Sequence, residues 1–190
     1  MAVALSACAG WLGARLPRFY VVSGDEPLAP TRHWQVQSKP YAPALAAGDQ
    51  LSFELRANPV VTTRMANGKS ARHDVVMQEK TRLLKERKLA RWADWKTPDR
   101  PSPQELIRQT CGQWLQSRCE RLGIALEDRS LSVEGYEQHR GKNGELRFST
   151  VDFNGTLRVI DAQALCVALR AGIGHAKAFG CGLLLIRPIG

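Results

Sequence analysis

No stretch of this 190-residue chain holds the ~18 consecutive apolar residues that a membrane-spanning helix requires. Acidic residues are scarce beside basic ones: 18 Asp and Glu stand against 27 Lys and Arg, a net charge of +9. That sign suits a polyanionic partner, because Lys and Arg neutralise phosphates and release their counterions. The five cysteines, Cys8, Cys111, Cys119, Cys166 and Cys181, include no C-x-x-C pair, and an odd count does not suit a disulfide framework. They read as buried thiols of a reducing, cytoplasmic setting. No Cys/His cluster has zinc-ligand spacing, and neither a Walker loop nor a dinucleotide fingerprint is present, so no metal and no cofactor is expected. The opening 1–16 stretch mimics a secretion signal, but no basic residue precedes its apolar part and that part is too short. It reads as an Ala-rich segment, weakly helical or frayed.

With 44% hydrophobic residues the chain is a folded one, long enough for one domain or two small ones. Its charge is uneven. Residues 64–100 carry eleven basic and five acidic residues, net +6, whereas 1–63 are net +1 and 101–190 net +2. The basic segment runs into the Pro-rich "TPDRPSP". The sequence therefore predicts an N-terminal domain over 1–75, a basic linker over 76–101 and a C-terminal domain over 102–190.

Alternation predicts strands at 17–23, 33–39 and 51–59, the last with Leu51, Phe53 and Leu55 inward. A helix is predicted from Pro103 to Leu122. Ser102 and Glu105 make its capping box, Pro103 takes the first position and Gly123 closes it. Its apolar face is Ile107, Cys111, Trp114, Leu115 and Leu122. A hairpin follows over 131–139 and 146–153, turned by Asn143-Gly144. The second strand runs on through 155–160. Asp161 caps a helix to Arg170, and 181–188 is a buried strand. Helix, hairpin, helix and strand make an α+β domain with an antiparallel sheet.

Two constellations carry chemistry. "GIGHAKAFGCG" sets His175 and Lys177 among Gly172, Gly174, Gly180 and Gly182. Glycines let a backbone approach a phosphate closely, and amides plus a Lys can cradle it. A tight helix-to-strand connection explains the same residues. The second is "YEQHRGKNGELRF", with Tyr136, His139, Arg140, Lys142 and Arg147 near one tip, a pattern suited to nucleic acid or to an ordinary polar turn. His73 and Asp74 are adjacent, so on a strand they face opposite ways and make a poor catalytic pair. A DNA-binding reading of the 103–122 helix ranks last, because Trp114 and Leu115 belong in a core.

"LRANPVVTTR", "GKSARHDVV", "VEGYEQHR", "RFSTVDFNGTLRVIDAQAL" and "GIGHAKAFGCGLLLIRP" together resemble the CasE family, the CRISPR-associated endoribonucleases of the type I-E Cascade complex. The match runs in order from about Leu16 to Pro188. The resemblance implies tandem ferredoxin-like (RNA-recognition-motif-like) domains. It also implies binding of the CRISPR repeat RNA hairpin, metal-independent cleavage at its 3′ base, and retention of the crRNA within Cascade beside its backbone subunit. Lys177 matches the Gly-rich-loop lysine that lies by the scissile phosphate in the family. His175 is a candidate substitute acid–base, and Arg56 and Arg72 join the RNA-binding set. The family's initial strand–helix–strand, with its catalytic His and a nearby Tyr, has no counterpart before residue 16. The first domain is therefore expected to be truncated. A cleavage-deficient scaffold that only binds the hairpin is the alternative.

Overall fold

The computed structural model describes residues 2–8, 18–25, 34–65, 68–142 and 146–189. The chain divides into two units, Met1–Ala44 and Leu45–Gly190. The first contains β1 (Ala2–Cys8), β2 (Arg18–Ser23) and β3 (Trp34–Pro40), an antiparallel sheet in the order β2-β1-β3. The described part of the Ala-rich opening, Ala2–Cys8, is thus extended rather than helical or frayed. It is the central strand, with Leu5 opposite Tyr20 on one side and Gln37 on the other. Pairing on both edges supplies the backbone partners that a lone Ala-rich helix would supply internally.

The second unit begins with β4 (Gln50–Ala57), whose Leu51, Phe53, Leu55 and Ala57 alternate into the core. A hairpin follows, β5 (Val60–Arg64) and β6 (Ser70–Asp74), then α1 (Val75–Glu86), α2 (Pro103–Gln116), α3 (Cys119–Leu122) and β7 (Ile124–Leu126). Strands β8 (Ser132–Arg140) and β9 (Arg147–Val159), helix α4 (Ala162–Ala171) and β10 (Leu184–Pro188) complete it. The long β9 pairs β4 along one edge, and β8 and β7 in succession along the other; β10 lies outside β4, and every pairing is antiparallel. Taking β4, α2, β8, β9, α4 and β10 in turn gives β-α-β-β-α-β with the first and third strands central, the ferredoxin-like arrangement. Leu106, Cys111, Trp114 and Leu115 of α2 and Leu165 and Leu169 of α4 are buried, as are Val151, Phe153, Leu157 and Val159 of β9. The Trp114 and Phe153 rings stack at 6.0 Å.

The unit boundary lies ahead of residue 45, not in the 76–101 segment. The physical reason is β4: hydrogen-bonded to β9 on one edge and β10 on the other, it folds with the C-terminal strands. The basic segment is not a linker either. Asp74 caps α1, whose Val75 and Val76 are buried, and α1 lies against α2. The capping box at Ser102 and Glu105 is formed, but the helix breaks at Ser117 before α3, and Leu106 rather than Ile107 is the buried residue of its first turn. Cys111, Cys119 and Cys181 are buried. Among the described residues no helix is long and apolar enough to cross a membrane.

Candidate nucleic-acid interface

One carboxylate holds the site together. Asp74 ends β6 and caps α1: its Oδ1 accepts the Met77 amide at 2.8 Å and the Tyr136 hydroxyl at 2.9 Å, and its Oδ2 accepts the Ser149 hydroxyl. Beside it the buried Asn58 donates Nδ2 to the Ser149 carbonyl at 2.7 Å. The β5–β6 hairpin and α1 are thereby tied to β8 and β9. Burial, and then the Asp74 charge, raise the Tyr136 pKa, so the phenol stays protonated and keeps donating. Tyr136 is in this way a clamp between strands. The sequence placed it at the hairpin's RNA-facing tip.

Asn58, Asp74 and Ser149 form one wall of an open cleft of about 500 Å³. Arg72 enters from β6, His139 and Arg140 from β8, Arg147 and Phe148 from β9, and His175 and Phe179 from the Gly-rich loop. Five of the residues singled out in sequence (Arg72, His139, Arg140, Arg147 and His175) are therefore brought together. Arg140 and Arg147 stand directly opposite each other in the strand pair. Like charges in that position repel, a repulsion that an anion placed between them would relieve. Among the described residues none of Arg72, Arg140 and Arg147 forms a salt bridge. His139 Nε2 lies 2.9 Å from the Thr150 hydroxyl, and its ring stacks on Phe148, which stacks in turn on Phe179. Phe148 and Phe179 were not singled out in sequence. Their signal was an aromatic two positions beyond Lys177 and another following Arg147. His73 lies in a different groove, beside α1, as strand alternation requires.

The Gly-rich loop serves the fold as well as the cleft. The amides of Gly172, Phe179, Gly180, Cys181 and Gly182 are all bonded to protein carbonyls. Those amides are not free to cradle a phosphate. Gly182 shows why a side chain is excluded: its amide donates to Arg56 O and its carbonyl accepts from Ile173, both at 2.7 Å, and a Cβ would sit 2.6 Å from the Ile173 oxygen. Gly174 similarly lies against the Trp114 ring. Gly180 differs: a Cβ there would meet open space, and φ is +80°.

Lys177 lies outside the cleft lining, and its Nζ donates to the Ala171 carbonyl at the C-terminus of α4, 2.5 Å away. His175 is exposed; partial desolvation, and then the charges of Arg72, Lys177 and Arg118, hold its pKa below the ordinary histidine value. A neutral imidazole is a proton acceptor, the form a general base needs. Arg56 is engaged elsewhere. It makes a bidentate pair with Asp152 on β9, both bonds 2.7 Å, which raises its pKa. Lys142 is exposed at the end of the hairpin, and the Asn143-Gly144 turn lies outside the described residues. Among the described residues no three His, Cys, Asp or Glu side chains are grouped to hold a metal ion.

An arginine-lined cleft in a ferredoxin-like unit is the geometry against which known proteins were compared. The family model described as "CRISPR associated protein" matches residues 11–188. The chain belongs to this family. It is 30% identical over 155 residues to the CRISPR-associated endoribonuclease Cse3 of Thermus thermophilus, and 29% identical over 146 residues to the Cascade subunit CasE of Escherichia coli. These matches cover 79% and 76% of this chain and 61% of each relative, so the chain spans about three fifths of the length of the curated relatives. The structure of Thermus thermophilus Cse3 bound to an RNA representing a pre-cleavage complex superposes with a TM-score of 0.62 at 27% identity, covering 98% of this chain and 79% of that one. The resemblance read from the motifs thus extends to the α+β, ferredoxin-like fold.

Proposed function

We propose that this chain binds the hairpin of the CRISPR repeat RNA in the arginine cleft and cleaves the precursor at the 3′ base of that hairpin, without a metal. It then keeps the crRNA bound as a subunit of Cascade, beside the backbone subunit. The observation that carries the RNA-binding part is the opposed Arg140 and Arg147, with Arg72 lining the same cleft and the fully engaged Asp74 the one carboxylate among its described lining residues. A-form RNA hides its base edges in a deep, narrow groove, so arginines on a hairpin read phosphates and shape. The names of Cse3 and CasE support the reaction and the assembly.

The chemistry follows from the groups present. The ribose 2′-oxygen attacks the adjacent phosphorus in line, a 2′,3′-cyclic phosphate forms, and the bond to the 5′-oxygen breaks. His175, neutral as it stands, accepts the 2′-hydroxyl proton; water protonates the departing 5′-oxygen. Lys177 stabilises the negative charge that builds on the phosphate. To do so it must exchange its hydrogen bond to Ala171 for one to the phosphate. That bond is also what favours the second reading, a scaffold that binds the hairpin uncut, because the amine is already occupied in the free protein. Incubation with labelled repeat RNA in EDTA decides between them. Metal-free cutting supports the endoribonuclease, a shifted but intact hairpin supports the scaffold, and preference for duplex DNA overturns both.

A further inference from the structure

Three rings form a row across the cleft. His139 and Phe148 have centroids 4.7 Å apart, Phe148 and Phe179 are 4.8 Å apart, and each pair is inclined by 28°. The inner end is fixed, since His139 bonds Thr150 and both His139 and Phe148 are half-buried. The outer end is open. Phe179 is 52% exposed, and the residue beside it is Gly180, whose missing side chain leaves open space. A phenylalanine held this far out of the core has lost part of its burial energy, and the row behind it adds stacking instead. More than half of Phe179 is thus open to solvent, in a cleft that Arg72, Arg140 and Arg147 also line.

An apolar side chain of a protein partner would gain from the ring but not from three arginines that form no salt bridge among the described residues. A nucleotide gains from both, its base on the ring and its phosphates on the guanidinium groups. A paired base within an RNA stem already has neighbours on both faces. An unpaired one does not.

We propose that Phe179, backed by Phe148 and His139, is a stacking platform for one unpaired nucleobase of the bound RNA, in the single-stranded stretch flanking the hairpin. This rests on the RNA-binding reading above. It adds a subsite: the stem is held through its phosphates, and the flank is held through one base. Because every base has a π-face, the platform is tolerant of sequence, and purines hold better than pyrimidines.

The test uses the full chain and three RNAs. One is a blunt repeat hairpin, one is the same hairpin with single-stranded flanks carrying 2-aminopurine at each unpaired position in turn, and one is the labelled flank alone. Affinity and 2-aminopurine quenching are measured for the wild type, Phe179→Leu and Phe179→Tyr. Leucine keeps the apolar volume and removes the ring; tyrosine keeps the ring. The flanked hairpin should bind the wild type roughly 5- to 100-fold tighter than the blunt one, with quenching at one position. Phe179→Leu should lose both the gain that the flank confers over the blunt hairpin and the quenching, and Phe179→Tyr should retain both. Equal affinity for blunt and flanked RNA on the wild type overturns the platform, as does quenching that survives in Phe179→Leu. If the blunt hairpin does not bind at all, the hairpin reading fails on its own. The labelled flank alone then decides the platform, quenching on the wild type but not on Phe179→Leu supporting it and equal quenching overturning it.

Discussion

Arg82 and Arg87 sit in or beside α1, in the most basic part of the chain, and both are neutralised. Arg82 pairs with Glu79 and Glu86 on its own helix, and Arg87 pairs with Asp99. The cleft has fewer basic residues, yet Arg72, Arg140 and Arg147 are free of carboxylates among the described residues. Titration behaviour reports both fields. Arg82 pulls the Glu79 pKa down, as an ion pair does, while in the cleft burial and nearby cations push His175 toward neutrality. Charge density along a sequence is therefore a poor map of available charge. A helix places Glu at i, i+3 and i+4 spacing and cancels its own cations. A hairpin that opposes two arginines does not cancel their charge within that strand pair.

The largest expected effect is on the group that feels the cleft's field. His175→Ala should slow cleavage by about 10²–10⁴-fold if the imidazole is the base. The sign of the pH dependence is fixed by its role: a base acts when deprotonated, so the rate rises with pH through its pKa. Because that pKa lies below 6.5 in the free protein, kcat/KM should level off before neutral pH. Bound phosphate favours the imidazolium, so the same limb in kcat should lie at higher pH. A single-turnover pH profile checks both, and an unaltered acid limb in His175→Ala would assign the proton transfer to another group.

How much of this was legible beforehand depended on whether a signal was local. Capping by Ser102 with Glu105, and by Asp161, is written in adjacent residues, and both caps formed. The Gly-rich loop and the β8–β9 hairpin were legible for the same reason. The partner of β4 was not, because its hydrogen bonds reach residues about a hundred positions away. That long-range pairing is what moved the domain boundary from 76–101 to residue 45. Nor was α1 legible: its charged surface hides an apolar face of which only Val75 and Val76 are buried. The gathering of Arg72 with Arg140 and Arg147 needs the Asp74–Tyr136 bond between residues 62 apart in sequence, which no spacing rule reveals.

Removing the opposed pair is the next largest test. Arg140→Ala with Arg147→Ala should weaken hairpin binding by about 10- to 100-fold. The slope of log affinity against log salt should become shallower by roughly 1.4 to 1.8, from a starting value near −3.5 to −4.5 if about five phosphates are neutralised. Relief of the repulsion between the two arginines should leave thermal stability equal or higher. An unchanged slope would place the phosphates elsewhere.

Arg56 is the control within the same unit. Its bidentate pair with Asp152 joins neighbouring strands, but the two side chains are 59% and 34% exposed, so solvent screens the attraction. Arg56→Ala should cost less than about 1 kcal/mol, measured by urea unfolding, and leave the salt slope of RNA binding unchanged. A loss of affinity equal to that of Arg140 would mean that the Asp152 pair opens for RNA.

The smallest effect is expected where the charge run is densest. Glu79→Gln with Glu86→Gln removes both carboxylates that hold Arg82 and adds two units to the net positive charge of α1. If available charge alone determined binding, this variant would bind the hairpin more tightly and more steeply with salt. Arg82 belongs to other grooves beside α1, however, not to the arginine cleft. At ionic strength near 0.15 M an exposed charge is screened over about 8 Å. Hairpin affinity should therefore change by less than about twofold, while weak binding to unstructured polyanions such as heparin rises at low salt. Comparing hairpin and heparin affinity between wild type and variant separates the two contributions. A hairpin gain as large as the loss in Arg140→Ala with Arg147→Ala would show that α1, and not the cleft alone, receives the RNA backbone.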